Sequence, residues 1–283
     1  MSQVFYRLGL TGYPLERSLS PEIHQAALRA SGLQGEYQLY PAVPLPDGSA
    51  QLAEIIQRVR QGELHGLNVT IPHKQNVLEY LDELTPAAQA VEAVNTVYLQ
   101  HERLLGDNTD IAGFWTDLRS AFPGVTGPAL VLGAGGSARA VVFALLQQGW
   151  EVTVAARQQG KAELLLQALN APDTARTIRL EAAALARLQP VRLIVNATPA
   201  GMHPRAGESP WPVEAHLQES AAVYDLIYKP QETELMRQAR RAGLQACNGL
   251  GMLVEQAALA FERWTGAPAE RAAMWKAIPT SQR

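Results

Sequence analysis

The chain has 283 residues, of which 47% are hydrophobic, enough to fill a core and to exclude a disordered polymer. At roughly 100–200 residues per domain, the length suggests two domains. The net charge is −3 with no long basic run, the single cysteine Cys247 cannot form a disulfide within the chain, and no apolar run is long enough to cross a bilayer, so nucleic-acid binding, a disulfide scaffold and a membrane span are not expected.

Apolar and polar patterning places the elements in chain order. Strands are expected over 6–12 (YRLGLTG), 36–42 (EYQLYPA) and 64–71 (LHGLNVTI), with helices over 21–31, about 50–61 and about 73–81. Two short strands follow, AVNTVYL and RLLGDN, then a helix at GFWTDLRSAF and a Pro/Gly-rich loop over 122–128 that marks a boundary between two halves. Past that loop come strands over 129–132, 151–155, 192–196 and 222–226, with helices over about 136–148, 161–169 and about 231–242. Two closing helices are GMLVEQAALAFERWTG and PAERAAMWKAI. No internal repeat interrupts the alternation, which predicts an α/β protein with mostly parallel sheets.

LVLGAGGSARA, residues 130–140, reads as strand, tight turn and helix. Gly133, Gly135 and Ala138 fit G-x-G-x-x-G/A: a sharp turn, room for a pyrophosphate at the backbone, and close helix packing. The helix start offers free N–H groups to phosphates. An ordinary tight βα turn is the alternative. The next strand ends without the acidic residue that grips a ribose 2′-hydroxyl; Ala156 and Arg157 stand there, with Lys161 four residues on. Two cations suit a 2′-phosphate, so NADP is preferred over NAD, unless Arg157 is only a solvated surface residue.

Other motifs allow a bland and a functional reading. Ser18 and Ser20 lie beside Pro21, where Ser20 reads as an N-cap and the two hydroxyls also suit a small carboxylate. Asn68, Thr70 and Lys74 gather where a strand ends and Pro72 is expected to begin a helix. Asn95 and Thr96, and Asp107, Asn108, Thr109 and Asp110, read first as turns, with Asp110 a possible cap of the 113–121 helix. No carboxylate triple or H-E-x-x-H suggests a metal, and no G-x-S-x-G suggests a serine hydrolase.

Taken together, SLSPEIH, NVTIPHK, AVNT, GDNTD, GAGGSARA, NATPAGM, DLIYKPQETEL and NGLGMLVEQAALAF resemble the shikimate dehydrogenase family along nearly the whole chain, in its order and spacing. The resemblance implies a two-domain enzyme that reversibly reduces 3-dehydroshikimate to shikimate with NADPH, on the way to chorismate and aromatic amino acids. It implies a Rossmann-type doubly wound NADP-binding domain over 110–248 and an α/β substrate-binding domain from 1–109 and 249–283, with substrate between them. Lys74 and Asp110 match the family's catalytic pair, and Ser18 and Ser20 its carboxylate-binding serines. Asn68, Thr70, Asn95, Tyr228 and Gln256 match positions around the substrate. Gly133, Ala134, Gly135, Gly136, Ser137 and Ala138 match the pyrophosphate turn, and Arg157 and Lys161 the 2′-phosphate side. Thr198, Leu226, Gly249 and Met252 match positions lining the ribose and nicotinamide. Two departures stand out: the family's usual Asn-Arg-Thr is Ala156-Arg157-Gln158, and Pro199 replaces a common serine.

A ketone reduction needs hydride at carbon and a proton at oxygen. An ammonium at Lys74 would polarise the carbonyl and donate the proton, with Asp110 orienting it; the sequence leaves open which of the two transfers the proton. The partners expected are a small-molecule substrate and no nucleic acid or membrane, in a monomer or homodimer. The opening MSQVFYRLGL has no basic segment followed by an apolar stretch, so no signal peptide is expected, and cysteine usage fits the cytoplasm. Three alternatives compete: a quinate/shikimate dehydrogenase using NAD, a non-catalytic dinucleotide sensor, and a methylene-tetrahydrofolate dehydrogenase, whose pattern lacks the serine pair and the Asp110 segment.

Overall fold

In the N-terminal stretch, the computed structural model describes β1 (Phe5–Gly12), α1 (Ser20–Ala30), β2 (Gln34–Pro41), α2 (Ser49–Arg60), β3 (Gly66–Val69), β4 (Glu83–Leu84), α3 (Pro86–Val91), β5 (Thr96–Gln100) and β6 (Arg103–Asp107). After α4 (Asp110–Ala121) come β7 (Ala129–Leu132), α5 (Gly136–Gln147), β8 (Val152–Ala156), α6 (Gln159–Ala168), β9 (Arg176–Arg179) and α7 (Ala182–Leu185). The chain continues with β10 (Leu193–Asn196), β11 (Ala222–Asp225), α8 (Glu234–Arg241), β12 (Ala246–Asn248), α9 (Leu250–Thr265) and α10 (Arg271–Ala277). The structure describes residues 4–282; residues 1–3 and 283, the outermost positions of the expected substrate-binding stretches, lie outside the described residues.

The chain divides into two units, one running to Gly113 and resuming over Val254–Thr280, the other covering Phe114–Leu253 and the last residues from Ser281. The first holds a six-stranded sheet in the order β2-β1-β3-β5-β6-β4. Strands β2, β1 and β3 run parallel, but β5 is antiparallel to both β3 and β6, so this sheet is mixed rather than uniformly parallel. The reason is local: the link from β5 to β6 is a hairpin through His101 and Glu102, both with positive φ, too short for a crossover. Helix α2 places Leu52, Ile55, Ile56 and Val59 on one buried stripe against Leu64, Leu67, Val97 and Leu104.

The second unit holds a fully parallel sheet in the order β12-β11-β10-β7-β8-β9. The chain starts at β7 and winds outward in both directions, which is the doubly wound topology. ALVL, LIVN and AVYD are buried along their whole length, as strands covered on both faces require. Leu130, Leu132, Ile194, Val223 and Leu235 form part of its core.

Several expectations are corrected. Residues 73–81 form no α-helix, and Pro72 begins none; only Asn76–Tyr80 coils, as a 3₁₀ turn. A long-range partner takes a group a helix would use: the Lys74 carbonyl accepts from Val94 N (2.7 Å), while the buried His73 side chain is held with Nε2 2.9 Å from Ala42 O. Ser20 is not the N-cap of α1 but its first residue: Leu19 stands at the cap position, and the free N–H of Ser20 donates to Ser18 Oγ (3.2 Å). Asp110 likewise opens α4 itself rather than capping a helix at 113.

Candidate active site

Lys74 and Asp110 are brought together from stretches 36 residues apart in the first unit. Lys74 lies five residues past β3, and Asp110 is the first residue of α4. Lys74 Nζ donates to Asp110 Oδ2 at 2.6 Å, and the two side chains are only 12% and 6% exposed. The other carboxylate oxygen, Oδ1, accepts from Asn95 Nδ2 at 2.9 Å. Asn95 sits immediately before β5 and is the hub of the cluster. Its Nδ2 also faces Thr109 Oγ1 (2.9 Å) and Gln256 Oε1 (3.3 Å). Its Oδ1 accepts from Thr109 N (2.8 Å) and Thr96 Oγ1 (3.0 Å), which fixes which way the amide points. Gln256 comes from α9, so residues from four separate stretches converge on one charged pair.

Asn68 extends the cluster along β3. Its Nδ2 donates to Asn95 O (3.1 Å), and its Oδ1 accepts from the Tyr37 hydroxyl (2.8 Å). Thr70 lies two residues on and pairs its N–H with Thr11 O (2.9 Å). Ser18 and Ser20 form their own turn at the start of α1, with Ser20 buried and Ser18 half-buried. The hydrogen bonds join Lys74, Asp110, Asn95, Gln256 and Asn68; the serine pair stands as a separate polar feature. Thr109 and Tyr37 are members that sequence reasoning did not single out. Thr109 was visible only as part of an Asp/Asn/Thr cluster, and Tyr37 is unmarked within its strand apart from a register that pairs β2 and β3 with β1.

The second unit carries the glycine turn. Gly133 has φ +109°, a conformation glycine adopts at no steric cost, and a Cβ there would lie 3.0 Å from Ala197 O and 3.1 Å from Thr198 Cγ2. Gly135 is extended and open: a Cβ there would meet nothing within 4 Å. Ala134, Gly136 and Ser137 continue the turn into α5, whose first turn has no acidic residue, and Ala138 is fully buried. Open space at Gly135 beside a helix N-terminus whose first turn carries no acidic residue fits a pyrophosphate. Arg157 and Lys161 are exposed just beyond β8, where a 2′-phosphate would need them. These residues therefore fit a phosphorylated dinucleotide.

Thr198 follows β10, and its N–H and hydroxyl both donate to Asn196 Oδ1, at 2.9 and 2.8 Å. Leu226 and Tyr228 follow β11 and are half-buried. Gly249 is where chain approaches chain: a Cβ there would lie 2.2 Å from Leu226 O. Met252 N donates to Asp117 Oδ2 (3.0 Å), which also accepts from the buried Tyr224 hydroxyl (2.5 Å). Burial pushes the Tyr224 phenol and the Cys247 thiol up, and pushes Asp225 up to about 6. Among the described residues, no helix is long and apolar enough to cross a membrane, and no group of three or more His, Cys, Asp or Glu is placed to hold a metal.

Comparison with known proteins adds an independent line. Residues 10–97 match the family description "Shikimate dehydrogenase substrate binding domain", and residues 249–278 match "Shikimate 5'-dehydrogenase C-terminal domain". The chain is 44% identical to a shikimate dehydrogenase (NADP(+)) of Salinibacter ruber over 279 residues, covering 95% of both chains. It is similar to the crystal structure of shikimate 5-dehydrogenase from Thermus thermophilus in complex with NADP(H) and shikimate, at TM-score 0.83 and 39% identity, covering 96% of this chain and 98% of that one. It is also similar, at TM-score 0.83 and 30% identity, to quinate dehydrogenase from Corynebacterium glutamicum in complex with NAD, covering 96% of this chain and 98% of that one. With identity and coverage at this level, the chain belongs to the shikimate dehydrogenase family.

Proposed function

We propose that this chain catalyses the reversible NADP-dependent reduction of 3-dehydroshikimate to shikimate, with Lys74 and Asp110 as its catalytic pair. The observation that carries the reading is that ion pair: an ammonium and a carboxylate 2.6 Å apart, nearly buried, and tied by Asn95 to a polar cluster. A dinucleotide sensor has no use for such a pair.

Ser18 and Ser20 take the substrate carboxylate, which fixes one end of the ring. Asn68, Thr70, Asn95 and Gln256 read its hydroxyls, and Tyr228 takes the role of the family's substrate-side tyrosine. Asn95 Nδ2 has two protons for three neighbouring acceptors, and the longest of these contacts, 3.3 Å to Gln256 Oε1, is the one a substrate hydroxyl would replace. Hydrogen-bonding sites of this kind reject analogues lacking a hydroxyl, because a buried polar group is then left unpaired.

NADPH, when bound, supplies the hydride. Gly133, Ala134, Gly135, Gly136, Ser137 and Ala138 hold its pyrophosphate, and Arg157 and Lys161 its 2′-phosphate. Thr198, Leu226, Gly249 and Met252 line the ribose and nicotinamide. As the carbonyl carbon gains the electron pair, negative charge grows on oxygen, and the Lys74 ammonium both stabilises it and delivers the proton. Asp110 keeps the ammonium aimed and takes up its charge balance. In the oxidative direction the Lys74 amine receives the proton from the hydroxyl that becomes the ketone. One cysteine and a reduced pyridine nucleotide suit the cytoplasm.

A second reading, quinate oxidation with NAD, is favoured by one observation: Ala156 and Gln158 flank Arg157 where the family's usual pattern has asparagine and threonine. Initial rates with shikimate and quinate, each offered NADP⁺ and NAD⁺, test both. Fastest turnover of shikimate with NADP⁺ is expected. Preference for quinate with NAD⁺ would establish the second reading, and no turnover with any pair would overturn both.

A further inference from the structure

The doubly wound sheet places its ligand crevice at the carboxyl ends of β7 and β10, where the winding reverses. One wall is the glycine turn, held by the start of α5. The other is made of two irregular segments, residues 197–201 after β10 and 226–228 after β11.

Two buried polar residues join these segments. Asn196 and Asp225 are paired partners at the last positions of β10 and β11, and both are fully buried. Asn196 Oδ1 accepts both donors of Thr198, while its Nδ2 donates to Asp225 Oδ1 (2.9 Å) and reaches Ala200 O (3.4 Å). Asp225 Oδ1 also accepts from Ile227 N (3.0 Å), and its Oδ2 accepts from Thr233 Oγ1 (2.7 Å). Among the described residues no cation pairs with this carboxylate; all its donors are neutral. Thr198 in turn sits against the glycine turn, its methyl 3.1 Å from where a Gly133 Cβ would be.

We infer that Asn196 and Asp225 are positioning residues for the dinucleotide: their hydrogen bonds set the shape and spacing of the crevice wall formed by the segments carrying Thr198 and Leu226. The inference rests on the dinucleotide-binding part of the proposed function. A carboxylate suits this task because each of its oxygens accepts from more than one direction, so one side chain gathers donors from two segments and from the cap of α8. Removing it leaves several buried donors unpaired at once.

Direct NADP⁺ titration by calorimetry, with KM for shikimate measured in parallel, tests this on the full chain. Asp225→Ala is expected to raise the NADP⁺ Kd about tenfold or more, while shikimate KM, whose proposed contacts other than Tyr228 belong to the other unit, rises by no more than about threefold. Asp225→Asn is expected to hold the Kd within about threefold of wild type, since its amide oxygen still accepts from Asn196 and Ile227 and its nitrogen can donate to Thr233. If the alanine variant does not fold, Thr233→Val decides, with an expected rise in Kd of about threefold that Thr233→Ser restores. An asparagine variant no better than alanine, equal losses for NADP⁺ and shikimate, or an unchanged Kd in Thr233→Val would overturn the inference. Wild-type protein that fails to bind NADP⁺ would instead sink the parent reading.

Discussion

Lys74 owes its chemistry to its neighbours rather than to its type. A lysine on an open loop would be a solvated charge; here its nitrogen is 2.6 Å from Asp110, and Asn95 holds the carboxylate from the other side. Replacing it by methionine keeps the length of the side chain and removes the proton. Lys74→Met is expected to lower kcat about 10²–10⁴-fold, the range for a lost general acid, while the NADP⁺ Kd from calorimetry stays unchanged. Comparable turnover in that variant would dismiss Lys74 from the reaction. Arg157 is the contrasting case, an exposed cation whose worth depends on the cofactor offered. Arg157→Ala is expected to raise KM for NADP⁺ about tenfold or more, the cost of a charge-assisted hydrogen bond, and to leave KM for NAD⁺ within about twofold. Equal effects on both would mean that Arg157 does not meet a 2′-phosphate.

Elements were legible where one rule governed them and illegible where tertiary contacts decided. The strand-turn-helix at 129–147 follows from an apolar run, three small residues and a helical pattern, and it formed as expected. Over 73–81, helical periodicity lost to distant partners, since the Lys74 carbonyl is bonded to Val94 and not to a residue four on. That loss places Lys74: a helix there would have aimed it by its own periodicity, whereas the 2.7 Å bond to Val94 ties its backbone next to Asn95. The sheet-edge strands β9 (RTIR) and β12 (ACN) are too short to show a period. The six-residue helix α3 has a short local signal, Thr85 before Pro86; Thr85 Oγ1 accepts from Ala88 N (3.3 Å) and donates to Asp107 Oδ1 (2.6 Å). The candidate site was legible as separate motifs, but the hub role of Asn95 was not, because nothing local says that residues 68, 95, 109, 110 and 256 meet. At this scale the glycine turn gives a sharp test. Gly133→Ala places a Cβ at φ +109° and 3.0 Å from Ala197 O, and backbone strain of about 1–3 kcal/mol is expected to weaken NADP⁺ binding by about tenfold with shikimate KM unchanged. Tight NADP⁺ binding in this variant would show that the turn is only structural.

Across the molecule, two buried titratable groups make the units respond oppositely to acid. In the first unit His24 is fully buried, stacked on Tyr37 with ring centroids 4.3 Å apart, and neither ring nitrogen has a partner in hydrogen-bond geometry among the described residues. Burial pushes its imidazole down to about 3, with nearby Asn68 opposing the shift. Between the ordinary value near 6.5 and that value, the unfolded chain takes up a proton that the folded chain refuses, so stability present above pH 6.5 is lost as pH falls, by about 1.4 kcal/mol per pH unit. In the second unit Asp225 behaves the other way. Its carboxyl is raised from 3.8 to about 6, so the folded chain holds a proton that the unfolded chain has released; its stabilising effect is complete below 3.8 and is lost as pH rises to 6, on the order of 3 kcal/mol. Acidification from pH 6 to pH 4 therefore loosens the surroundings of His24 and tightens those of Asp225, and measurements of the whole chain would show the two effects largely cancelling. Hydrogen exchange followed peptide by peptide separates them. Protection in α1 and β2, corrected for intrinsic exchange rates, is expected to fall over this range, and protection in β10 and β11 to rise. His24→Phe keeps a ring on Tyr37 but cannot titrate, and it is expected to flatten the first response alone; Asp225→Asn is expected to flatten the second alone. If both regions moved in the same direction, or if either variant altered the other region's response, neither His24 nor Asp225 would be the group responsible.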